Sequence, residues 1–123
     1  MNVLLDTGVL IDALRRDDRA LDFLEALSDV PAATEVTRVE LVQGLRSPER
    51  RDAERLMSTI GWIPLTEPIA RLAGRLGRRW RASHRGIGVA DLVIAATVDL
   101  HGLELATTNV RHFPMLEGLQ APY

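Results

Sequence analysis

Short apolar runs alternate with longer amphipathic stretches along the chain, and this alternation predicts the elements of the fold. Apolar runs predict buried strands at Val3–Leu5, Val30–Ala33, Trp62–Leu65 and Leu103–Thr107, with a weaker fifth candidate at Leu119–Ala121. Apolar residues spaced three and four positions apart predict helices at Val9–Leu14, Arg19–Leu27, Thr37–Leu45, Ser47–Gly61, Glu67–Ala82 and Val89–Leu100. Strands separated by helices favour a three-layer α/β/α fold with a short parallel sheet of four to five strands.

Polar residues next to the apolar stretches predict where individual helices begin and end. Thr37-x-x-Glu40 has the form of a capping box, so we expect a helix to begin at Thr37 with Glu40 in its first turn. Ser47 followed by a proline predicts a serine cap for the next helix. Gly102 ends the helix of residues 89–100, which is apolar nearly all round and is therefore expected to be buried.

Polar side chains at the carboxyl edge of the predicted sheet are the candidates for function. Open parallel sheets form their sites beyond the carboxyl ends of the strands, which singles out Asp6 and the segment from Thr107 to Asn109. Glu40 and Asp91 lie at predicted helix beginnings, where they can face the same edge. Each candidate also has a purely structural explanation, as a helix cap, a capping-box residue, a partner of a helix dipole or a turn residue.

Composition limits the chemistry of these candidates. The 123 residues suffice for one domain, 1–123, and the absence of cysteine excludes disulfide scaffolds, zinc fingers and thiol chemistry. All fifteen basic residues are arginine, so a Walker A phosphate loop and Schiff-base catalysis are excluded as well. The amino end has neither a basic leader nor a long apolar stretch, and we expect a cytoplasmic protein.

Three carboxylates and one amide near one sheet edge favour metal-assisted chemistry. Clustered carboxylates repel one another, and at neutral pH they need a cation or protonation to coexist. Oxygen ligation suits Mg²⁺ or Mn²⁺, and phosphodiester hydrolysis is a natural reaction because the ion activates water and neutralises transition-state charge. A small phosphatase is disfavoured, because Gly8 stands where a haloacid-dehalogenase-like enzyme needs its second aspartate.

Four segments of the chain together resemble the sequence motifs of PIN-domain ribonucleases. These segments are Leu4–Asp12, Thr37–Leu45, Ala90–Ala96 and Leu105–Phe113. Their order and spacing, and the length of the chain, are similar to those of the VapC-type toxins of bacterial type II toxin–antitoxin pairs. The resemblance extends over essentially the whole sequence, and the four motifs are specific when taken together.

The resemblance implies a metal-dependent endoribonuclease that hydrolyses RNA. It implies that Mg²⁺ or Mn²⁺ is bound by three acidic residues, Asp6, Glu40 and Asp91. Many relatives place a fourth aspartate where this chain has Asn109, which can position a water molecule but brings no charge. The missing fourth carboxylate bears mainly on whether a second metal ion is tightly held, and less on the first.

Further implications of the resemblance concern supporting residues and partners. Thr7 and Thr107 resemble hydroxyls that hold a carboxylate or a metal-bound water, and a small antitoxin and a homodimer are the expected partners. More apolar side chains than one core needs lie on two predicted helices, at Leu10, Ile11, Leu14, Leu41, Val42 and Leu45. The neutral Asn109 keeps an alternative open: a PIN-like module that binds RNA or a protein without cutting.

Arginines without intervening acids form a basic stretch between residues 68 and 90. Arg71, Arg75 and Arg78 fall on one helix face, and Arg85 lies closer in sequence to Asp91. This face is either an ordinary solvated surface or a stripe that binds RNA phosphates. Metal-ligand spacing is absent around the histidines, so the sequence assigns no catalytic role to His84, His101 or His112.

Overall fold

The computed structural model describes all residues 1–123 and contains one four-stranded parallel sheet. The strands are β1 (Val3–Leu5), β2 (Ala32–Thr34), β3 (Gly61–Ile63) and β4 (Glu104–Ala106), in the spatial order β3-β2-β1-β4. Leu4 of the central strand is in register with Ala32 on one side and with Leu105 on the other. The carboxyl ends of β1, β2 and β4 therefore meet at one edge of the sheet.

Six helices flank the sheet. They are α1 (Thr7–Leu14), α2 (Asp18–Ala26), α3 (Glu35–Gly44), α4 (Arg50–Met57), α5 (Glu67–Trp80) and α6 (Val89–His101), with 3₁₀ turns at Ser47–Glu49 and Val110–His112. No helix is both long enough and apolar enough to cross a membrane.

Successive strand residues enter two separate hydrophobic cores, as the period of two in a strand requires. Leu4 and Ala32 pack with the apolar side chains of α5 and α6. Leu5 and Ala33 pack on the other face with side chains of α1, α3 and α4. The predicted three-layer α/β/α arrangement, with helices on both faces of a parallel sheet, is confirmed.

The prediction of a fifth strand at residues 119–121 is wrong. The sheet has four strands, and this segment has no ladder partner. Gly118 precedes it in a left-handed conformation with φ 70°, which turns the chain. Leu119 then packs against the core shared with α5 and α6, so its apolar character reflects side-chain burial and not strand pairing.

The helix predicted to begin at Thr37 begins earlier. The N-cap of α3 is Thr34, the last residue of β2, and its Oγ1 accepts a hydrogen bond from the Thr37 backbone N–H at 3.1 Å. Glu40 therefore lies beyond the first turn, and the predicted Thr37–Glu40 capping box does not form. The sequence Thr-x-x-Thr-x-x-Glu offers two cap registers three residues apart, and the end of the strand selects the first.

The predicted helix from Ser47 to Gly61 is shorter and begins differently. Residues 47–49 form a 3₁₀ turn, in which the Arg46 backbone N–H donates to Oε1 of Glu49 at 3.0 Å, so Ser47 is not a cap. Helix α4 ends at Met57. Gly61 belongs to β3, because its N–H donates to the Pro31 carbonyl at 2.9 Å and begins the pairing with the sheet.

Thr34→Ala is expected to destabilise the chain by about 1–2 kcal/mol, because it removes a buried cap and leaves the Thr37 N–H without a partner. The matched control is Thr66→Ala. Thr66 is the exposed N-cap of α5 and makes no side-chain cap bond, so its loss is expected to cost less than about 0.5 kcal/mol. Urea unfolding of the two variants measures the difference, and equal losses would contradict the assignment of Thr34 as the cap.

Candidate active site

Asp6 occupies the centre of the candidate site. It follows β1, caps α1 and is 7% exposed. Its Oδ1 accepts a hydrogen bond from the Thr7 backbone N–H at 2.8 Å, and its Oδ2 accepts one from Oγ1 of Thr107 at 2.6 Å. Asp6 can therefore cap α1 and also belong to a functional site. The cap uses Oδ1, and the carboxylate still lies at the carboxyl edge of the sheet.

The electrostatic environment of Asp6 disfavours its negative charge. Burial raises the pKa of Asp6, the hydrogen bonds from Thr107 and Thr7 oppose this, and the nearby charges of Asp91 and Glu40 raise it further. The charges of Asp91 and Glu40 therefore reach Asp6 across the sheet edge. A bound cation would relieve both the burial penalty and the mutual repulsion.

Glu40 approaches the site from α3. Its Oε1 accepts a hydrogen bond from Oγ1 of Thr7 at 2.6 Å, and the same hydroxyl lies 3.2 Å from Oγ1 of the fully buried Thr37. The Thr7 hydroxyl thus holds the exposed Glu40 carboxylate against the beginning of α1. Glu40 has no capping role in this structure, so the structural explanation considered from the sequence does not apply to it.

Asp91 lies in the first turn of α6, as predicted. Its Oδ2 accepts a hydrogen bond from the Gly88 backbone N–H at 2.9 Å, which satisfies a free amide at the helix beginning. The same oxygen lies 3.3 Å from Nδ1 of His112. Sequence reasoning missed this histidine because its spacing to Asp91 along the chain carries no signal, and only the 3₁₀ turn after β4 brings the two together.

Asn109 follows β4 and lies beside the site in an exposed position. Its backbone N–H donates to Oγ1 of Thr107 at 3.0 Å, and Thr107 in turn donates to Asp6. The side-chain amide makes no cap bond. Its backbone therefore helps to orient the hydroxyl that holds Asp6.

The side-chain donor atoms at this edge of the sheet are carboxylate and hydroxyl oxygens, which are the ligand type that a hard divalent cation prefers. No three acidic or histidine side chains lie close enough together to hold one ion by themselves. Mg²⁺ commonly keeps several waters and needs only one or two carboxylates. The buried Asp6 carboxylate, close enough to Asp91 and Glu40 for their charges to raise its pKa, offers oxygen donors of that kind.

The predicted arginine stripe lies on the solvent side of α5. Arg71, Arg75 and Arg78 are all exposed, and Ile69 on the opposite face is buried in the core. Nε of Arg71 bonds Oε1 of Glu67 at 2.8 Å, within the same helix. Arg85 is exposed in the loop between α5 and α6, three residues before the Gly88 amide that binds Asp91.

The four-stranded parallel sheet, with Asp6 after β1, Glu40 on α3 and Asp91 on α6, has the architecture of a PIN-type domain. Residues 3–116 match the family model described as the PIN domain, and the chain belongs to that family. It is 46% identical over 123 residues to Ribonuclease VapC19 of Mycobacterium tuberculosis, with 98% of each chain covered. It is 47% identical to Ribonuclease VapC10 of the same organism, covering 98% of this chain and 92% of the relative.

Solved structures with the same fold include one described as a toxin–antitoxin complex from Klebsiella pneumoniae. That chain aligns with a TM-score of 0.85 and 28% identity, over 99% of this chain and 98% of its own length. PIN-domain ribonucleases of the VapC type generally use a divalent metal ion. The resemblance inferred from the four motifs is therefore confirmed at the level of the family and of the ribonuclease class.

Proposed function

We propose that this chain is the toxin of a toxin–antitoxin pair and an endoribonuclease that hydrolyses RNA phosphodiester bonds with a divalent metal ion. The observation that carries the proposal is the buried Asp6 carboxylate at the sheet edge, held by the Thr7 N–H and the Thr107 hydroxyl, while the Thr7 hydroxyl holds Glu40. The identity of almost half of the residues to two proteins named as VapC ribonucleases supports the reaction class.

The side chains of this site bind, orient and hold charge. Thr107 and the Thr7 backbone fix both oxygens of Asp6, and the Thr7 hydroxyl fixes Glu40, so that neither carboxylate is free to rotate away. Asp6, Asp91 and Glu40 are the residues that would hold Mg²⁺ or Mn²⁺. When bound, such an ion lowers the pKa of water and stabilises negative charge on a phosphodiester.

Removal of divalent ions is expected to abolish cleavage of a structured RNA, and added Mg²⁺ or Mn²⁺ is expected to restore it. Gel analysis of RNA incubated with the purified chain in excess EDTA, and then with the ion added back, measures this. Cleavage that persists at the same rate in EDTA would contradict the proposal. RNA that is bound but stays intact with Mg²⁺ present would favour the alternative, a PIN-like binding module.

RNA is expected to contact the stripe formed by Arg71, Arg75 and Arg78 through its phosphates. Replacing all three by alanine is expected to weaken binding and to reduce the slope of log affinity against log salt by about 2, since each lost phosphate contact removes about 0.7 for a single strand. The matched control replaces three exposed arginines of α4, Arg50, Arg51 and Arg55, and changes the net charge equally. Equal slopes for the two triple variants would contradict the assignment.

The proposed partners are a cognate antitoxin and a second copy of the chain. Not all of the apolar helix residues that were expected to contact these partners are available on the surface. Leu10 and Leu41 are buried in the core. Val42 is 55% exposed and its neighbour Val39 is 62% exposed, both on α3. The surface available for an apolar contact is therefore narrower than the sequence pattern indicates, and the relationship to a toxin–antitoxin complex is the stronger support.

A further inference from the structure

The two oxygens of Asp91 have different surroundings. Oδ2 faces two protein groups, the Gly88 N–H at 2.9 Å and Nδ1 of His112 at 3.3 Å. Oδ1 makes no hydrogen bond within the chain and is not fully buried, because no fully buried side-chain oxygen lacks a partner. One oxygen is thus held by the protein, and the other is available to a ligand.

We infer that His112 is a positioning residue that, with the Gly88 amide, holds Oδ2 of Asp91 so that Oδ1 is presented to the divalent cation. The inference rests on the proposed metal-dependent function. His112 is suited to this task because its Nδ1 lies 3.3 Å from Oδ2 and carries a hydrogen both in the Nδ1–H neutral tautomer and when protonated. Groups that bind the second oxygen of a metal-ligating carboxylate fix its orientation and strengthen the site.

The backbone holds His112 firmly enough for such a role. Its N–H donates to the Asn109 carbonyl at 3.0 Å within the 3₁₀ turn, and the next residue, Phe113, is 1% exposed in the core. The ring itself is about one-third exposed, at 29%. Its Nε2 lies 3.7 Å from where a Cβ on Gly86 would stand, so the loop before α6 passes beside the ring.

A purely structural contact between the last 3₁₀ turn and α6 is the alternative, and side-chain length separates the two. The amide nitrogen of asparagine lies the same number of bonds from the backbone as Nδ1 of histidine, and that of glutamine lies one bond further. His112→Asn therefore keeps an N–H facing Oδ2 of Asp91 without a charge. His112→Gln moves its N–H one bond further out and His112→Ala has none, so both lose the contact with Oδ2.

Titration of the full chain with Mn²⁺ tests the inference without any RNA. Electron paramagnetic resonance of the free ion measures how much Mn²⁺ is bound. We expect the Kd for Mn²⁺ to rise about tenfold in His112→Gln and His112→Ala, and to stay within about threefold of the parent value in His112→Asn. His101→Asn, at an exposed position at the end of α6, is the matched control and is expected to bind as the parent does. Thermal unfolding in EDTA reports separately on the stability of each variant.

Asp91→Asn separates failure of this inference from failure of the proposed function. If Asp91→Asn binds Mn²⁺ as tightly as the parent, the proposed metal site is wrong and the role of His112 falls with it. If Asp91→Asn weakens Mn²⁺ binding but all three His112 variants have the same Kd as one another, the metal site stands and the positioning role of His112 is overturned. If only His112→Asn keeps the parental affinity and the other two His112 variants bind more weakly, the positioning role is supported.

Discussion

Asp6→Asn is expected to reduce RNA cleavage by about a hundredfold or more and to leave the chain folded. The substitution removes the central negative charge of the site, and loss of a direct ligand is expected to exceed the 10–100-fold cost typical of residues that only orient ligands. The asparagine oxygen still accepts the Thr7 N–H, and its amide donates to the Thr107 hydroxyl. Single-turnover cleavage at saturating Mg²⁺ measures the effect, with Asp99→Asn at an exposed position of α6 as the control.

The difference in stability between Asp6→Asn and the parent chain is expected to depend on pH. Burial, followed by the charges of Asp91 and Glu40, raises the pKa of Asp6, so the folded chain takes up this proton at a higher pH than the unfolded chain. The stability gained on protonation is present at low pH and is lost as the pH rises through the raised pKa. In EDTA, the Tm advantage of Asp6→Asn over the parent is therefore expected to be largest near neutral pH. An advantage that is independent of pH would contradict the burial of a charged Asp6.

Glu40→Gln is expected to lower cleavage by at least about tenfold and to raise the Mg²⁺ concentration needed for half-maximal rate. Glutamine keeps an oxygen that accepts the Thr7 hydroxyl, so the geometry is retained and only the charge is lost. Because Thr34 and not Thr37 caps α3, the substitution does not touch the helix cap. The rate measured against metal concentration therefore reports on chemistry and not on folding.

Glu35→Gln provides the control on the same helix. Glu35 is paired with Nε of Arg38 at 2.6 Å and does not contact Thr7, so its loss removes an equal charge away from the site. We expect its cleavage rate to stay within about twofold of the parent, as for an exposed pair of little energetic weight. Parental activity in Glu40→Gln would reduce Glu40 to an anchor for the Thr7 hydroxyl.

The hydrophobic pattern predicted the fold correctly because both faces of the sheet are buried. Leu4 and Leu5 enter different cores, so even three-residue strands appear in the sequence as continuous apolar runs. The pattern failed where local chemistry offered two solutions. Thr34 and Thr37 are both good caps, and the choice between them depends on where β2 stops pairing, which is a tertiary property.

The proximity of Asp6 and Thr107 was predictable because parallel strands place their carboxyl ends together. Asp6 and Thr107 are 101 positions apart, yet both directly follow paired strands, and the hydrogen bond between them follows from that register. The contact between His112 and Asp91 had no comparable signal. It depends on a single 3₁₀ turn that no periodicity in the sequence marks.

The bond between Asp6 and Thr107 also has a consequence for the chain while it is being made. Synthesis proceeds from the amino end, so Asp6 and Glu40 leave the ribosome first. Until β4 has emerged and paired with β1, Asp6 lacks the hydroxyl that holds Oδ2. A nascent chain shorter than 107 residues therefore carries an incomplete nuclease. The contacts that fix Asp6 are therefore completed only after the fourth strand has left the exit tunnel of the ribosome.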